Sequence, residues 1–479
     1  MPLVLGVDSS TQSTKVEVRD ADDGRLLASG RAPHTPTTPP RSEQDPTEWW
    51  DALVSAAQQT GAREIAAVAV AGQQHGLVVL DGAGAPLRPA KLWNDTESAA
   101  AASALVHHLG PEQWAKAVGV VPVASFTISK LAWLAAAEPD VMDRIHTVLL
   151  PHDYLTYRLT GRFVTDRGDA SGTGYWSSFD ERWRPDLLDR YVSGIGADAW
   201  ATRLPRVLAP SEPSDWLTAS VHEQLRLRGR PLCGPGTGDN MAAALGVGLE
   251  PGDVAISLGT SGTVYAVAAE PIADPTGAVA GFADATGRYL PLVCTLNATH
   301  VTDAFARLFG VDHDTLDGLA LDAAPGAGGL VLVPYLNGER TPNRPDATGA
   351  LTGIRSDVSR ENLARAAFEG VVCGVLDGLD ALLAAGVSIN RERIVLVGGG
   401  ARSGAYRRIL ADLSGIPVEV PDGEEHVATG SCVQAAAVLA GRPPEEVAAA
   451  WGLGTGTVIE PDPAVDAAGV RSAYRRACM

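Results

Sequence analysis

The sequence carries no surplus of positive charge. Lys and Arg total 38 against 57 Asp and Glu, a net charge of −19. Such a chain repels phosphate backbones and anionic lipid at long range, which weighs against nucleic-acid and membrane-surface roles. An anionic ligand still binds where backbone N–H groups and one or two local cations receive it. Cysteine is scarce: five residues, at 233, 294, 373, 432 and 478, with no C-x-x-C pair and no His at metal-ligand spacing. These read as isolated thiols in a reducing compartment. No apolar run approaches the roughly 20 residues that span a bilayer. The N-terminal apolar run is interrupted by Asp8 and lacks a basic flank, so no signal peptide is expected and the expected location is cytoplasmic. The pattern G-x-x-x-x-G-K-[ST] is also missing, so a P-loop fold is not indicated.

What remains is an ordinary globular composition. The chain has 479 residues, 20% charged and 45% hydrophobic, much of the latter Ala. That length suits two to four domains.

Residues 3–7 read as a buried strand. A hydroxyl-rich turn follows at 8–14, and 15–19 alternates with Val16 and Val18 on one face, the period of a half-buried strand. Asp22-Asp23-Gly24 is a turn signal, with a third strand expected beyond it. A helix is expected from Asp45, with Pro46 at its first position, Glu48 completing a capping box and Gly61 at its end. Residues 65–70 read as a strand that runs into Gly72-Gln73-Gln74-His75-Gly76. The middle, 96–232, reads as mostly helical. A glycine-dense turn at 234–240 then marks the domain boundary, and the opening pattern returns. Residues 253–258 and 263–267 read as strands joined by Gly259-Thr260-Ser261-Gly262. Two domains of one architecture are expected, each a sheet flanked by helices, facing each other across a cleft. Later, residues 393–397 read as a strand feeding Gly398-Gly399-Gly400-Ala401-Arg402-Ser403 and a helix to about Leu413. Such a glycine turn lets a nucleotide approach the backbone.

Several residues have both a chemical and a plain structural reading. Asp8 closes a strand; it either places Mg²⁺ through water or shapes an Asx-turn. Asp239 either takes a proton from a substrate hydroxyl or caps a helix. His75, beside Gln74, either binds sugar hydroxyls or is a solvated loop residue. Trp93, in Trp93-Asn94-Asp95, either offers a face to a sugar or is a core residue followed by a helix cap.

Taken together and in order, these runs resemble the FGGY carbohydrate kinase family over almost the whole chain. They are DSSTQSTK at 8–15, SEQDP at 42–46 with Trp49 and Trp50, GQQHG at 72–76, KLWND at 91–95 and LPHDYL at 150–155. DRGDASGT at 166–173, GDN at 238–240, SLGTSG at 257–262, PYLNGERTP at 334–342, the stretch 349–369 and GGGARS at 398–403 complete the set. The resemblance implies an α/β fold of two actin-like (ribonuclease H-like) domains, each a mixed sheet flanked by helices, with a cleft between them. It implies a sugar-binding domain at 1–246 that carries the first phosphate loop, and a nucleotide-binding domain at 247–479. It implies phosphorylation by ATP, with Mg²⁺, of a small sugar, a ketopentose such as D-xylulose. Ribulose, gluconate and glycerol are the alternative acceptors, and a non-catalytic nucleotide sensor is the alternative class. The expected partners are sugar and ATP, with a homodimer left open. Asp239 is then the catalytic base, and Asp8 holds Mg²⁺ through water. Gln74, His75, Trp93, Asp239 and Asn240 meet the sugar. Thr11, Gln12, Lys15, Gly259, Thr260, Gly399, Gly400 and Ala401 meet the nucleotide. The chain departs from the family pattern at Ser10 and Ser13, where Gly is frequent, at Gln74, where Met is frequent, and at Gly430-Ser431-Cys432-Val433-Gln434, where the usual run is Gly-Ala-Ala.

Overall fold

A computed structural model describes residues 2–479. The chain divides into two compact units. The first comprises residues 1–248, 269–290 and 425–453, and the second comprises 249–268, 291–424 and 454–479. Among the described residues no helix is long and apolar enough to cross a membrane.

The first unit is built on a mixed sheet. Its strands are β1 (Leu3–Ser9), β2 (Ser13–Asp20), β3 (Leu26–Pro33), β4 (Ile65–Gly72), β5 (Asp215–Trp216), β6 (Leu232–Cys233) and β7 (Thr237–Gly238). The order across the sheet is β5-β6-β4-β1-β2-β3, with β7 also paired to β4. β1, β2 and β3 are antiparallel neighbours, while β1, β6 and β7 each run parallel to β4. Asp8 and Ser9 lie inside β1, and Ser13 and Thr14 inside β2, so the opening turn is shorter than expected. Helix α1 (Pro46–Gln59) packs Trp49, Trp50 and Leu53 into the core against Val7, Val16 and Val18. Asp45 caps it by accepting from the Thr47 N–H. Glu48 forms no capping box; it accepts from the Thr35 N–H instead. Thr60 ends the helix, and Gly61 follows with φ 67°. The middle, 96–232, supplies among others α2 (Thr127–Ala137), α3 (Pro151–Thr160) and α4 (Arg167–Ala170), interspersed with short strands, and α5 (Asp239–Gly246) follows the glycine-dense turn.

The second unit repeats the pairing pattern. Strands β8 (Val254–Leu258), β9 (Gly262–Ala266) and β10 (Tyr289–Thr295) are antiparallel neighbours. β8 then pairs in parallel with β11 (Ile394–Val397), β11 in parallel with β12 (Val418–Pro421), and β12 antiparallel with β13 (Gly456–Ile459). β8, β9, β10 and β11 therefore correspond to β1, β2, β3 and β4. The repetition suggested by the two hydroxyl-rich turns is a repetition of sheet topology. Helices α6 (Thr299–Phe309), α7 (Arg360–Ala384) and α8 (Gly404–Ser414) belong to this unit.

The chain re-enters the first unit with α9 (His426–Ala440). A Cβ on Gly430 would stand 1.9 Å from the Ala242 carbonyl oxygen, and one on Gly246 would stand 1.9 Å from that of His426. Only glycine at these positions lets the α5 and α9 backbones approach this closely. α9 also covers the face of β2 opposite Val16 and Val18, so that strand is buried on both sides, not half-buried. Glu17 is 4% exposed; it pairs with Arg19 at 2.8 Å and accepts from Thr429 Oγ1 at 3.0 Å. The departure from the family pattern at 430–434 has a structural use here. Ser431 Oγ donates to the Val7 carbonyl at 2.9 Å, and Cys432 Sγ meets the Glu17 carbonyl at 3.5 Å. Gln434 accepts from the Gly236 N–H at 3.0 Å and donates to the Gly236 carbonyl at 2.9 Å. Its amide thus holds the turn that leads into Asp239, so these residues support the first unit's sheet.

Candidate active site

In open α/β sheets, ligands gather at the carboxyl ends of parallel strands. In the first unit β1 delivers Asp8 there, β4 delivers Gln73, Gln74 and His75, and β7 delivers Asp239. The register pairs Asp8 with Ala71 and Gly238 with Gly72, so the three segments end side by side.

Asp239 is the first residue of α5 and keeps a partial opening to solvent. Its Oδ1 accepts from the Asn240 N–H at 2.8 Å and from Asn240 Nδ2 at 3.0 Å. Asn240 Nδ2 also donates to Gln74 Oε1 at 2.7 Å. Gln74, Asn240 and Asp239 therefore form one hydrogen-bonded chain. Burial, reinforced by the negative charge of Asp8, raises the Asp239 carboxyl from the ordinary carboxylate range to about 7. The Asn240 hydrogen bonds pull the other way and do not win. The group is thus poised to accept or release a proton near neutrality, which a helix cap does not require.

Asp8 is raised to about 6 by burial, against the opposing pull of Lys15. Lys15 stands 3.5 Å from Asp8 Oδ2 and 2.6 Å from Glu425 Oε2. Asp8 Oδ1 is buried and has no hydrogen-bond partner among the described residues. An orphaned carboxylate oxygen beside a lysine suits a hydrated divalent cation with phosphate oxygens around it.

Thr11 lies partly buried and Gln12 exposed at the tip of the opening turn. Thr11 Oγ1 donates to Gln73 Oε1 at 3.1 Å and accepts from Trp93 Nε1 at 2.9 Å. Trp93 is 41% exposed, so it is not a core residue, and Asp95 beside it is not a helix cap. Asp95 is instead buried against Lys91, with Asp95 Oδ2 at 3.0 Å from the ammonium. Glu43 at 3.2 Å and Glu97 at 2.6 Å complete an acidic ring around Lys91 Nζ, and the Trp133 ring lies 3.9 Å from that nitrogen. The three carboxylates stand close enough to hold a metal, but the Lys91 ammonium is already paired with all three. The KLWND run is therefore a loop clamped at both ends that presents Trp93.

His75 is 9% exposed, so it is not a solvated loop residue. Its backbone is left-handed, with φ 64°. Its ring centroid lies 5.0 Å from that of Phe126 and 5.4 Å from that of Phe282. Behind it is a buried charged cluster that motif reading did not single out. His152 Nε2 stands 3.2 Å from Asp153, 3.3 Å from Asp166 and 3.6 Å from Asp169. Burial works to lower the His152 pKa, but these carboxylates outweigh it and raise it to about 9. Burial pushes Asp169 well above the usual carboxylate range. The only sequence signal for this cluster was that LPHDYL and DRGDASGT matched the family in order.

In the second unit the parallel neighbours β8 and β11 end at the two glycine turns, Ser257 being in register with Val397. The Gly259 and Thr260 carbonyls accept from the N–H groups of Thr299 at 3.0 Å and Ala298 at 3.2 Å, which ties this turn to the start of α6. Beyond β11, residues Gly399–Arg402 form a single 3-10 turn. The α-helix starts only at Gly404, capped by Ser403. The expected direct passage from glycine turn to helix is therefore interrupted. Gly399 is open to solvent, while Gly400 and Ala401 are buried.

Comparison with known proteins agrees with this architecture. The N-terminal domain of the FGGY family of carbohydrate kinases matches residues 3–246, and the C-terminal domain of that family matches residues 254–439. The chain is 49% identical to the xylulose kinase of Streptomyces rubiginosus, over 96% of this chain and 92% of that protein. It is 48% identical to the xylulose kinase of Streptomyces coelicolor over the same shares. Among solved structures, the xylulose kinase of Bifidobacterium adolescentis superposes with a TM-score of 0.89 at 42% identity, covering 100% of this chain and 99% of that one. The two helix-flanked mixed sheets are those of the actin-like fold.

Proposed function

Because the chain belongs to the FGGY family of carbohydrate kinases, we propose that it transfers the γ-phosphoryl group of ATP to O5 of D-xylulose. The observation that carries this reading is the Gln74–Asn240–Asp239 chain, which ends on a carboxyl raised to about 7. In this reading Asp239 accepts the proton of the attacking hydroxyl. Gln74, His75, Asn240 and Trp93 hold the remaining hydroxyls and the carbon face of the sugar. Lys15 and Asp8, with Thr11 and Gln12, meet the phosphate end of the nucleotide. Gly259, Thr260, Gly399, Gly400 and Ala401 meet the rest of it. Mg²⁺, held through water by Asp8, supplies positive charge to the phosphate oxygens when bound. The protein's own work is placement and proton acceptance, since phosphoryl transfer needs little covalent help. The named relatives support xylulose over other acceptors.

The test is ADP release measured with Mg²⁺, ATP and a panel of xylulose, ribulose, gluconate and glycerol. The expected result is a kcat/KM for xylulose at least about 10²-fold above glycerol, whose missing hydroxyls leave site groups unpaired. Equal turnover with and without sugar, or a preference for gluconate or glycerol, contradicts the reading.

A further inference from the structure

We propose that Asp169 is a positioning residue that fixes His75 for sugar binding, an inference that rests on the sugar-binding reading of His75. His75 occupies a left-handed backbone conformation, which a non-glycine residue keeps only when its surroundings hold it there. Three groups hold it through the main chain. Asp169 Oδ1 accepts from the His75 N–H at 3.3 Å. Thr127 Oγ1 and Lys130 Nζ each donate to the His75 carbonyl at 3.2 Å. Lys130 also donates to the carbonyls of Ala124 and Ser125, so it ties the segment before α2 to His75.

The ring is fixed as well. Asp169 Oδ1 lies 3.9 Å from His75 Nδ1. A Cβ on Gly172 would come within 2.4 Å of Nδ1 and 2.3 Å of Cε1. The Nδ1–Cε1 edge is therefore turned toward Asp169 and Gly172. Phe126 and Phe282 confine the ring from other directions.

Asp169 is suited to this task because it is itself immobile. Its side chain is fully buried, and its Oδ2 faces the His152 ring at 3.6 Å. His152 is also fully buried and is shared with Asp153 and Asp166. Asp166 is anchored in turn. It accepts from Thr237 Oγ1 at 2.7 Å, two residues before Asp239, and from the N–H groups of Gly168 and Asp169. One rigid cluster thus touches both the segment that carries His75 and the segment that carries Asp239.

The experiment is steady-state kinetics on Asp169→Asn, His75→Ala and the double variant, with xylulose and ATP. Asparagine keeps the size and an acceptor oxygen but removes the carboxyl group. We expect Asp169→Asn to raise the xylulose KM by at least about tenfold, because a neutral amide oxygen holds the His75 N–H more weakly than a carboxylate does and no longer sets a carboxylate beside Nδ1. Its kcat and ATP KM should stay within about threefold of wild type. In the His75→Ala background the same change should add nothing, because a residue that acts through His75 has no effect once that ring is gone. An unchanged xylulose KM in Asp169→Asn, or an equal rise in both backgrounds, overturns the proposal and leaves the sugar-binding role of His75 standing. An unchanged xylulose KM in His75→Ala removes the sugar-binding reading itself, and the proposal with it. Gly172→Ala is the second variant. It presses a methyl group on the ring and meets Asp169 only at its backbone carbonyl, at 3.4 Å, leaving the carboxylates in place; it should raise the xylulose KM alone, and an unchanged KM there also counts against the proposal.

Discussion

Asp239→Asn lowers kcat by about 10²–10⁴-fold, the usual contribution of a general base. The loss falls on kcat because the amide keeps the hydrogen bonds to Asn240 but accepts no proton from the sugar hydroxyl. Sugar and ATP binding should change little, as measured by calorimetry or by protection from thermal unfolding. Structural collapse is not the expected cause. The wild-type carboxyl is raised to about 7 by burial and by the charge of Asp8, so ionising it works against the folded state. Stability supplied by this group is complete below the ordinary carboxylate range and is lost as pH rises to about 7. The asparagine variant has no such loss. Its melting temperature relative to wild type should therefore climb between pH 4 and 7 and level off above. A variant that turns over at the wild-type rate, or that melts far below wild type at pH 8, contradicts this assignment.

Lys91→Met destabilises the protein by about 3–5 kcal/mol, the cost of removing one partner of a buried ion pair. Lys91 and Asp95 are both fully buried, and Glu43 and Glu97 close on the same ammonium. Glu43 keeps a second cation in Arg88 at 2.6 Å, and Asp95 keeps the Ser42 N–H at 2.9 Å. The charge left on Asp95 nevertheless has no other cation beside it among the described ion pairs. Methionine keeps a long unbranched side chain but loses the ammonium, and with it the contact of Nζ with the Trp133 ring as well as the ion pairs. Urea unfolding should show the shift as a lower midpoint with an unchanged slope. Because the clamped loop presents Trp93, the xylulose KM should rise in the same variant. An unchanged midpoint would mean that the acidic ring does not depend on its lysine.

The parts of the fold that were legible in the sequence are those governed by short-range rules. The strands around Asp8 and around Gly259 were visible as apolar runs broken by hydroxyl-rich turns, and the α1 cap followed from Asp45-Pro46. The burial of Glu17 was not visible, because its cover is α9, which arrives more than 400 residues later in the chain. The same holds for Gln434, whose amide reaches the Gly236 turn across 198 residues. The two-unit division is also discontinuous, with residues 269–290 and 425–453 returning to the first unit. No local composition change marks those returns.

The site divides in the same way. Asp8, Gln74, His75, Asp239 and Asn240 sit at strand or helix ends inside recognisable runs, and the structure joins Gln74, Asn240 and Asp239 by hydrogen bonds. Asp169, His152 and Lys130 gave no separate signal. Their significance lies in contacts with His75 and with one another, which only the folded chain creates. Local patterning also left open whether Trp93 and His75 are exposed. An aromatic residue was weighed as core and is open, while a polar loop residue was weighed as solvated and is buried.

The most direct test of the central claim is the pH dependence of kcat/KM for xylulose at saturating Mg²⁺ and ATP. A base raised to about 7 must be ionised to act. The account therefore predicts an acid limb with a midpoint near 7, falling about tenfold per pH unit below it, and the loss of that limb in the residual activity of Asp239→Asn. A wild-type profile that stays flat from pH 5.5 to 8 would contradict it.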